Sequence, residues 1–206
     1  MVNAKGRVVI PTKFDKLKNV LKGAYILVQK DDKFGLYNQK GEQILSPIHE
    51  EIQVLDKDII IFSKDKKWGL HSQGTTVFPA NLEEITRLNS SFVRIKQDQK
   101  YGVADLSGEL VIIPEMDTIY IADTQNPNNS NLFYCKQGGI DQLINSKGRI
   151  VAEPPLNNLE VLPNSFLLFQ SDKKWGIISP EGEQVISADY LQYVPISEDF
   201  IALLAE

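Results

Sequence analysis

The sequence predicts an all-β protein built from about six repeated β-units, and three observations support this fold class. An aromatic–glycine pair recurs along the chain, and a second glycine follows at a similar distance in every copy. No segment shows a convincing apolar stripe at helical spacing with capping residues, and Leu82–Ile85 is at most a single turn. A repeated pattern of this length without helices predicts strands that stack as repeated small sheets.

The repeat has two recurring elements, which we take as its structural motif. The aromatic–glycine pairs are Phe34 with Gly35, Trp68 with Gly69, Tyr101 with Gly102, and Trp175 with Gly176. The second glycines are Gly6, Gly41, Gly74, Gly108, Gly148 and Gly182, at steps of 35, 33, 34, 40 and 34 residues. The one long step falls on the asparagine-rich segment 123–131, which predicts an exposed, mobile loop inserted into a regular array.

The residues between these markers predict three or four short strands in each unit. Phe92–Lys96 alternates apolar and polar residues, as expected for a strand with one buried face. A polar turn leads back through the aromatic–glycine pair, and the next turn, 38–42, suits a type I turn with a bulge glycine. A third strand follows, and proline (Pro47, Pro79 or Pro114) is expected to end its pairing. A weaker apolar stretch, such as Ile52–Leu55, then links to the next unit.

The recurring ring has two interpretations. A single small unit cannot bury its own apolar face, so neighbouring units are expected to stack, with the ring packed against the next unit. The adjacent glycine would allow a backbone or ring to approach closely, or permit a bulge. Alternatively, the rings are exposed and stack on sugars or bases.

The two ends of the chain predict how the array closes. Residues 1–6 align with 36–41, and 200–206 align with 25–31, so the ends look like complementary parts of one unit. The predicted units are approximately 25–58, 59–91, 92–131, 132–165 and 166–199, with 200–206 plus 1–24 as a split unit. This arrangement favours a closed, propeller-like toroid, which removes open sheet edges. An open β-solenoid and a piece of a longer array are the alternatives.

The motif Lys–aromatic–Gly, followed by a glycine turn and an apolar strand with proline, resembles the WG-repeat (KWG-repeat) family. Its best copies begin at Lys33, Lys67, Lys100 and Lys174, whereas Asp141 and Gln142 replace the pair in a degenerate copy. The resemblance covers nearly the whole chain and implies a single WG-repeat β domain over residues 1–206. It also implies a bacterial repeat protein, often exported or part of a longer chain, with a protein-interaction role and no common catalytic residues.

Composition excludes several classes of function. The chain has 22 Lys and Arg against 27 Asp and Glu, a net charge of −5, so a general nucleic-acid-binding surface is not expected. One cysteine and two histidines give no residue set for a metal or cofactor, and we expect none. No apolar run is long enough for membrane insertion, and no signal peptide is visible. The chain as given is expected in the cytoplasm, or exported with its signal removed.

Candidate catalytic residues are few, and we expect no enzyme. His49 and His71 do not recur between units and are expected to be solvated surface residues. Cys135 lies in a predicted strand and is expected to be buried. The acidic residues after the third strands (Glu50 with Glu51, Glu83 with Glu84, Asp117 and Asp189) leave a hydrolase with paired carboxylates as a remote alternative.

The sequence therefore predicts a non-catalytic scaffold that binds a protein partner through loops on the faces of its units. The candidate interaction loop is the inserted segment, with Asp123, Gln125, Asn126, Asn128, Asn129 and Asn131. A carbohydrate-binding or cell-surface module is the alternative, with Tyr37, Tyr120, Tyr190 or Tyr193 as exposed rings. The sequence identifies neither the partner nor the oligomeric state.

Overall fold

The computed structural model describes residues 1–2, 4–123, 127–128, 130–152, 156–162, 166–196 and 200–205. Within these ranges the chain is all-β, with one short 3₁₀ turn at Leu21–Gly23 as its only helical element. The predicted fold class is confirmed in this respect. No helix among the described residues has the length and apolarity that a transmembrane span requires.

The strands form five four-stranded antiparallel sheets and one two-stranded sheet in the described chain. Sheet 1 contains β1 (Lys16–Val20), β2 (Tyr25–Lys30), β3 (Lys33–Asn38) and β4 (Gln43–His49). Sheet 2 contains β5 (Glu51–Val54), β6 (Ile59–Lys64), β7 (Lys67–Ser72) and β8 (Thr75–Leu82). Sheet 3 contains β9 (Glu84–Arg87), β10 (Phe92–Gln97), β11 (Lys100–Asp105) and β12 (Leu110–Met116).

The remaining sheets follow the same order along the chain. Sheet 4 contains β13 (Thr118–Ile121), β14 (Leu132–Gln137), β15 (Ile140–Asn145) and β16 (Ile150–Ala152). Sheet 5 contains β17 (Leu156–Val161), β18 (Leu167–Ser171), β19 (Lys174–Ile178) and β20 (Gln184–Tyr190), and β21 (Gln192–Pro195) pairs with β22 (Ile201–Leu204). The first strand of each four-stranded sheet is therefore the weak apolar stretch that was expected to be a linker. Each sheet begins one strand earlier along the chain than the predicted unit.

The chain divides into two compact parts, Met1–Ile85 with Leu106–Gly108, and Thr86–Asp105 with Glu109–Glu206. In the first part, Leu36 and Leu45 of sheet 1 pack with Ile60 and Phe62 of sheet 2. In the second part, sheets 3 and 4 share a core that includes Phe92 and Phe133, and sheets 4 and 5 share another. Within each part, consecutive sheets therefore bury apolar faces against each other.

Proline does not end strand pairing as expected. In sheet 1, Phe34 pairs with His49 and Leu36 pairs with Leu45, so three residues of β4, with Pro47 in the middle, lie opposite one residue of β3 and form a bulge. Pairing resumes beyond the bulge, and the corresponding register shift recurs around Gly69, Gly102 and Gly176. A bulge needs no ladder hydrogen bond from the proline nitrogen, which explains why the strand continues.

The hairpin between the second and third strands is a two-residue turn in all five four-stranded sheets of the described chain. Both central residues have positive φ, as a type I′ turn requires, and this turn matches the twist of the strands. The pairs are Asp31 with Asp32, Asp65 with Lys66, Asp98 with Gln99, Gly138 with Gly139, and Asp172 with Lys173. Only sheet 4 uses glycines, so the other turns hold side chains in a strained conformation.

The two ends of the chain show less regular pairing. β21 and β22 form a two-stranded sheet, whereas Val2 and Val8 form an isolated antiparallel bridge. Closure of the array into a ring stays a prediction.

Candidate functional site

The glycine of each aromatic–glycine pair lies against the backbone of the fourth strand, at the bulge. A Cβ at Gly35 would lie 2.8 Å from the Pro47 nitrogen, and one at Gly102 would lie 2.6 Å from the Ile112 oxygen. At Gly69 and Gly176 a buried phenylalanine ring also fills the space, with Phe62 and Phe169 atoms within 2.7 Å of the Cβ position. Glycine at this position therefore permits both the bulge and the packing of a ring.

The recurring aromatic rings themselves are half-buried at the described positions, on the face opposite their glycines. Trp175 contacts Tyr193 of β21 edge-on at 4.8 Å, and so reaches the first strand that follows its own sheet. Tyr101 packs at the margin of the core between sheets 3 and 4, with the Arg94 guanidinium 4.8 Å from its ring centre. These two rings contribute to stacking from the margin, whereas the cores are filled by other buried residues, such as Leu36, Leu70 and Phe133.

The second glycines have positive φ, and four of them also pack against the preceding repeat. A Cβ at Gly41 would lie 2.1 Å from the Val9 oxygen, and one at Gly148 would lie 2.6 Å from the Val111 oxygen. At Gly108 the nearest atom, the Val77 Cβ, is 3.2 Å away. Gly182 meets Asn145, while Gly6 and Gly74 have open space. These turns thus reverse the chain, and those with such a contact also pack one repeat against the next.

An acidic residue between consecutive sheets ties their hairpins together. Glu50 forms an ion pair with Lys33 at 3.3 Å and accepts a hydrogen bond from the Lys66 N–H at 3.0 Å. Asp117 is paired in the same way with Lys100 and accepts the Gly138 N–H at 2.7 Å. These carboxylates, candidates for a hydrolytic pair by sequence, are therefore engaged as connectors.

The pKa values of both connectors respond to these contacts. The Lys66 N–H and then Lys33 hold the pKa of Glu50 below its ordinary value. For Asp117 the Lys100 ammonium is the main cause of the lowered pKa, followed by the Gly138 N–H. Both groups are consequently ionised at neutral pH, which keeps the connection between sheets intact.

The described part of the inserted segment is held by neighbouring loops. The Asn89 side chain donates to the carbonyls of Pro127 at 3.1 Å and Ser130 at 3.2 Å. Asn128 in turn accepts the Ser90 N–H at 2.9 Å. Asn131 donates its N–H to Pro180 and accepts the Ser146 N–H. The loop therefore makes hydrogen bonds with the β9–β10 loop and with the β15–β16 and β19–β20 turns.

The candidate interaction residues have different surroundings. Asn128 is exposed and Asn131 is half-buried, whereas Asp123 is only 1% exposed and so presents almost no surface to a partner. Gln125, Asn126 and Asn129 lie outside the described residues. The expectation of an exposed loop is thus supported by Asn128 and corrected at Asp123.

The two histidines and the single cysteine are all buried. His49 and His71 are both buried, not solvated as expected, and burial lowers the pKa of each. The His49 ring packs edge-on against the Phe62 ring, with the two ring centres 4.7 Å apart. Cys135 is buried as predicted, and burial raises the pKa of its thiol to about 12.

The tyrosines considered for sugar stacking differ in exposure. Tyr37 is buried and donates to Gln43 at 2.7 Å, which removes it as a stacking surface. Tyr120 is 48% exposed and stacks on Tyr134 at 5.0 Å. The Tyr193 hydroxyl donates to Glu160, and Tyr190 is half-buried. A carbohydrate-binding role stays a prediction, with Tyr120 as its best-exposed ring.

Sequence reasoning missed the polar residue that precedes four of the glycine turns and accepts hydrogen bonds from the turn backbone. The Asn38 Oδ1 accepts the N–H groups of Lys40 and Glu42, both at 3.0 Å, and Asn145 does the same for Lys147 and Arg149. The recurrence of Asn38, Asp105, Asn145 and Ser179, each three residues before its turn glycine, was the available signal. Asn89 was missed because its partners are about 40 residues away in sequence, at separations of 38 and 41.

Together the repeated sheets, the glycine turns and the connectors define an all-β repeat protein. Residues 1–34, 34–68 and 70–101 each match the family described as "WG containing repeat". The resemblance to the WG-repeat family is therefore confirmed, and the chain carries three consecutive WG repeats across residues 1–101.

The chain is also similar to several solved structures, at low sequence identity and low TM-scores. Hsv2p of Kluyveromyces lactis is similar at 10% identity and a TM-score of 0.37, over 82% of this chain and 62% of that chain. A eukaryotic initiation factor is similar at 11% identity and a TM-score of 0.43, over 92% of this chain and 59% of that one. The chain thus spans about three fifths of the length of these two proteins. No curated protein matches the sequence.

Proposed function

We propose that this chain is a non-catalytic repeat scaffold that binds a protein partner through the loop between β13 and β14. The observation that carries the proposal is the anchoring of this loop. Asn89, Ser90, Ser146 and Pro180 all hydrogen-bond to its described residues, while Asn128 remains exposed.

Anchoring matters because ordering a loop costs conformational entropy when a partner binds. A loop already held by its neighbours incurs less of this cost. Antiparallel pairing puts the β9–β10 and β13–β14 loops at the same end of sheets 3 and 4 as the glycine turns. The polar surface of Ser90, Ser91 and Asn128 at this end suits a partner recognised by hydrogen bonds, on a frame whose rigidity comes from the repeats.

We also propose that the array closes into a propeller-like toroid. In the described part of the chain, the β21–β22 sheet has two strands where the other sheets have four, so it lacks the third and fourth strands of the repeat. Residues 1–10 carry the pattern of such a strand pair, with Gly6 at the turn, and the Val2–Val8 bridge already pairs its two arms. Closure would place the interaction loops around one face of the ring.

The function is tested by photocrosslinking in cells that make the protein. A photoreactive phenylalanine analogue replaces Asn128, and the control position is Lys64, an exposed residue at the opposite, hairpin end of β6. We expect one protein to crosslink through position 128 and not through position 64. In the chain without the photoreactive residue, deleting 124–129 should abolish co-purification of this protein. Equal crosslinking at both positions, or none at 128, contradicts the proposal.

A further inference from the structure

β1 is an exposed edge strand. It pairs with β2 on one side and is the first strand of sheet 1, so its other side carries backbone groups without a strand partner in the described chain. Residues 16–19 are all exposed, and Leu17 retains 47% of its accessible surface. Such an edge can accept an added strand, and proteins usually protect it.

Two cavities flank β1, one on each face of sheet 1. Cross-strand pairing puts Lys16 beside Gln29 and Gln29 beside Phe34, on the face of the aromatic ring. A cavity of about 120 Å³ on this face is lined by Lys16, Lys18, Leu27, Val28, Gln29 and Phe34. Leu17 and Asn19 belong to the other face, where a cavity of about 400 Å³ is lined by these two residues with Met1, Lys18, Gly23, Ile26 and Gln39. Successive side chains of an added strand would enter these two cavities in turn.

The charge of β1 differs from that of the first strands of the next two sheets along the chain. β5 and β9 begin with Glu51 and Glu84, whereas β1 presents Lys16 and Lys18. Within the described residues neither lysine has a carboxylate at ion-pair distance, although the whole chain is acidic with a net charge of −5. A cationic strand on an anionic protein favours an acidic ligand at this edge.

We propose that β1 is a docking site for an extended peptide that adds to sheet 1 and alternates acidic with apolar side chains. The acidic side chains lie over Lys16 and Lys18 beside Phe34, and the apolar ones enter the larger cavity beside Leu17 and Ile26. Backbone hydrogen bonds to β1 provide affinity, and the two cavities provide specificity. This site is separate from the loop of the proposed function, so either proposal can fail without the other.

The test uses a fluorescein-labelled, end-blocked octapeptide that alternates glutamate and valine, with binding followed by fluorescence anisotropy at low ionic strength. We expect saturable binding that weakens about tenfold or more in the variant K16E/K18E, because two attractions become repulsions. The matched variant K64E/K66E changes the charge equally on the β6–β7 hairpin and should bind like the wild type. Thermal unfolding of both variants verifies that they fold.

Two further measurements separate strand addition from simple charge attraction. Methylating alternate backbone nitrogens of the peptide should abolish binding, since the added strand loses its donors. Hydrogen exchange should show protection of β1 amides when the unmethylated peptide is bound. Absence of binding, equal weakening in both variants, undiminished binding of the methylated peptide, or protection at another strand would each overturn the proposal. Self-association through β1 that excludes the peptide would overturn it as well.

Discussion

At the residue scale, each of the two recurring glycines meets a different demand. Gly35 has an ordinary φ and is required by the approach of the Pro47 backbone. Gly41 has a φ of +85° and also touches the preceding repeat, so two constraints meet at one residue. Gly74 has nearly the same φ, +81°, but nothing within 4 Å of its Cβ position. The chain thus offers a natural pair for separating conformation from contact.

We expect Gly74→Ala to cost about 1 kcal/mol of unfolding free energy, the cost of a left-handed conformation with a side chain. Gly41→Ala should cost about 2 kcal/mol more, because its Cβ would lie 2.1 Å from the Val9 oxygen and the neighbouring strand must move. Urea unfolding of the two variants measures the difference. Equal losses would show that the contact with Val9 has no energetic role.

At the element scale, the sequence predicted the pattern more completely than the boundaries. Alternation and the glycine turns were sufficient for the second and third strands of each sheet, because their apolar residues are strong. β5, with the sequence Glu-Ile-Gln-Val, was interpreted as a linker, since an isolated four-residue stretch says nothing about its pairing with Ile60–Ser63. Strand pairing depends on contacts with residues elsewhere in the chain, so the four residues of β5 alone do not reveal it.

In the candidate site too, local features can be predicted from the sequence, whereas contacts between repeats cannot. The inserted segment was evident from the long step between glycines, because length and polarity are local properties. The contacts from Asn89 were not evident, since they join loops of different repeats. The burial of His49 and His71 was also missed, because each occupies a position at a strand end that other repeats fill with different residues.

The connectors between sheets predict a specific pH dependence. The pKa of Asp117 is lowered in the folded protein, so its ionised form is favoured by folding. This contribution is fully present above the unfolded pKa of about 3.9 and is lost as the pH falls through the lower, folded pKa. We expect Asp117→Asn to destabilise the protein at pH 7 and the gap from the wild type to shrink in acid. Chemical unfolding between pH 7 and pH 2 measures it, and a gap that stays constant would refute the role of the charge.

At the scale of the whole molecule, one local rule recurs inside each of the two compact parts: consecutive sheets bury apolar faces, and turns and connectors link them. Within each compact part this produces shared cores, such as the one that contains Phe92 and Phe133. A stack of repeats that ends openly leaves its terminal faces uncovered, and Ile196 and Phe200 beside β21–β22 are 65% and 69% exposed. Closure would give these residues a strand pair to pack against, which is the physical argument for a ring.

The proposed closure fixes a distance that spin labels can measure. Alignment with the β2–β3 pair, in which Ile26 faces Tyr37, places Val2 opposite Ile201 in the split unit. Labels on V2C and I201C should then interact at less than about 20 Å, whereas five sheets stacked openly between them at about 10 Å spacing would separate them by roughly 60 Å. Cys135 is buried with its pKa raised to about 12, so its thiol stays unlabelled at neutral pH. The pair V2C and V8C, joined by the observed bridge, calibrates the short-range signal. A long distance for the first pair alongside a short one for the second would establish an open array, because it would show that the label at position 2 is properly held while the ends do not meet.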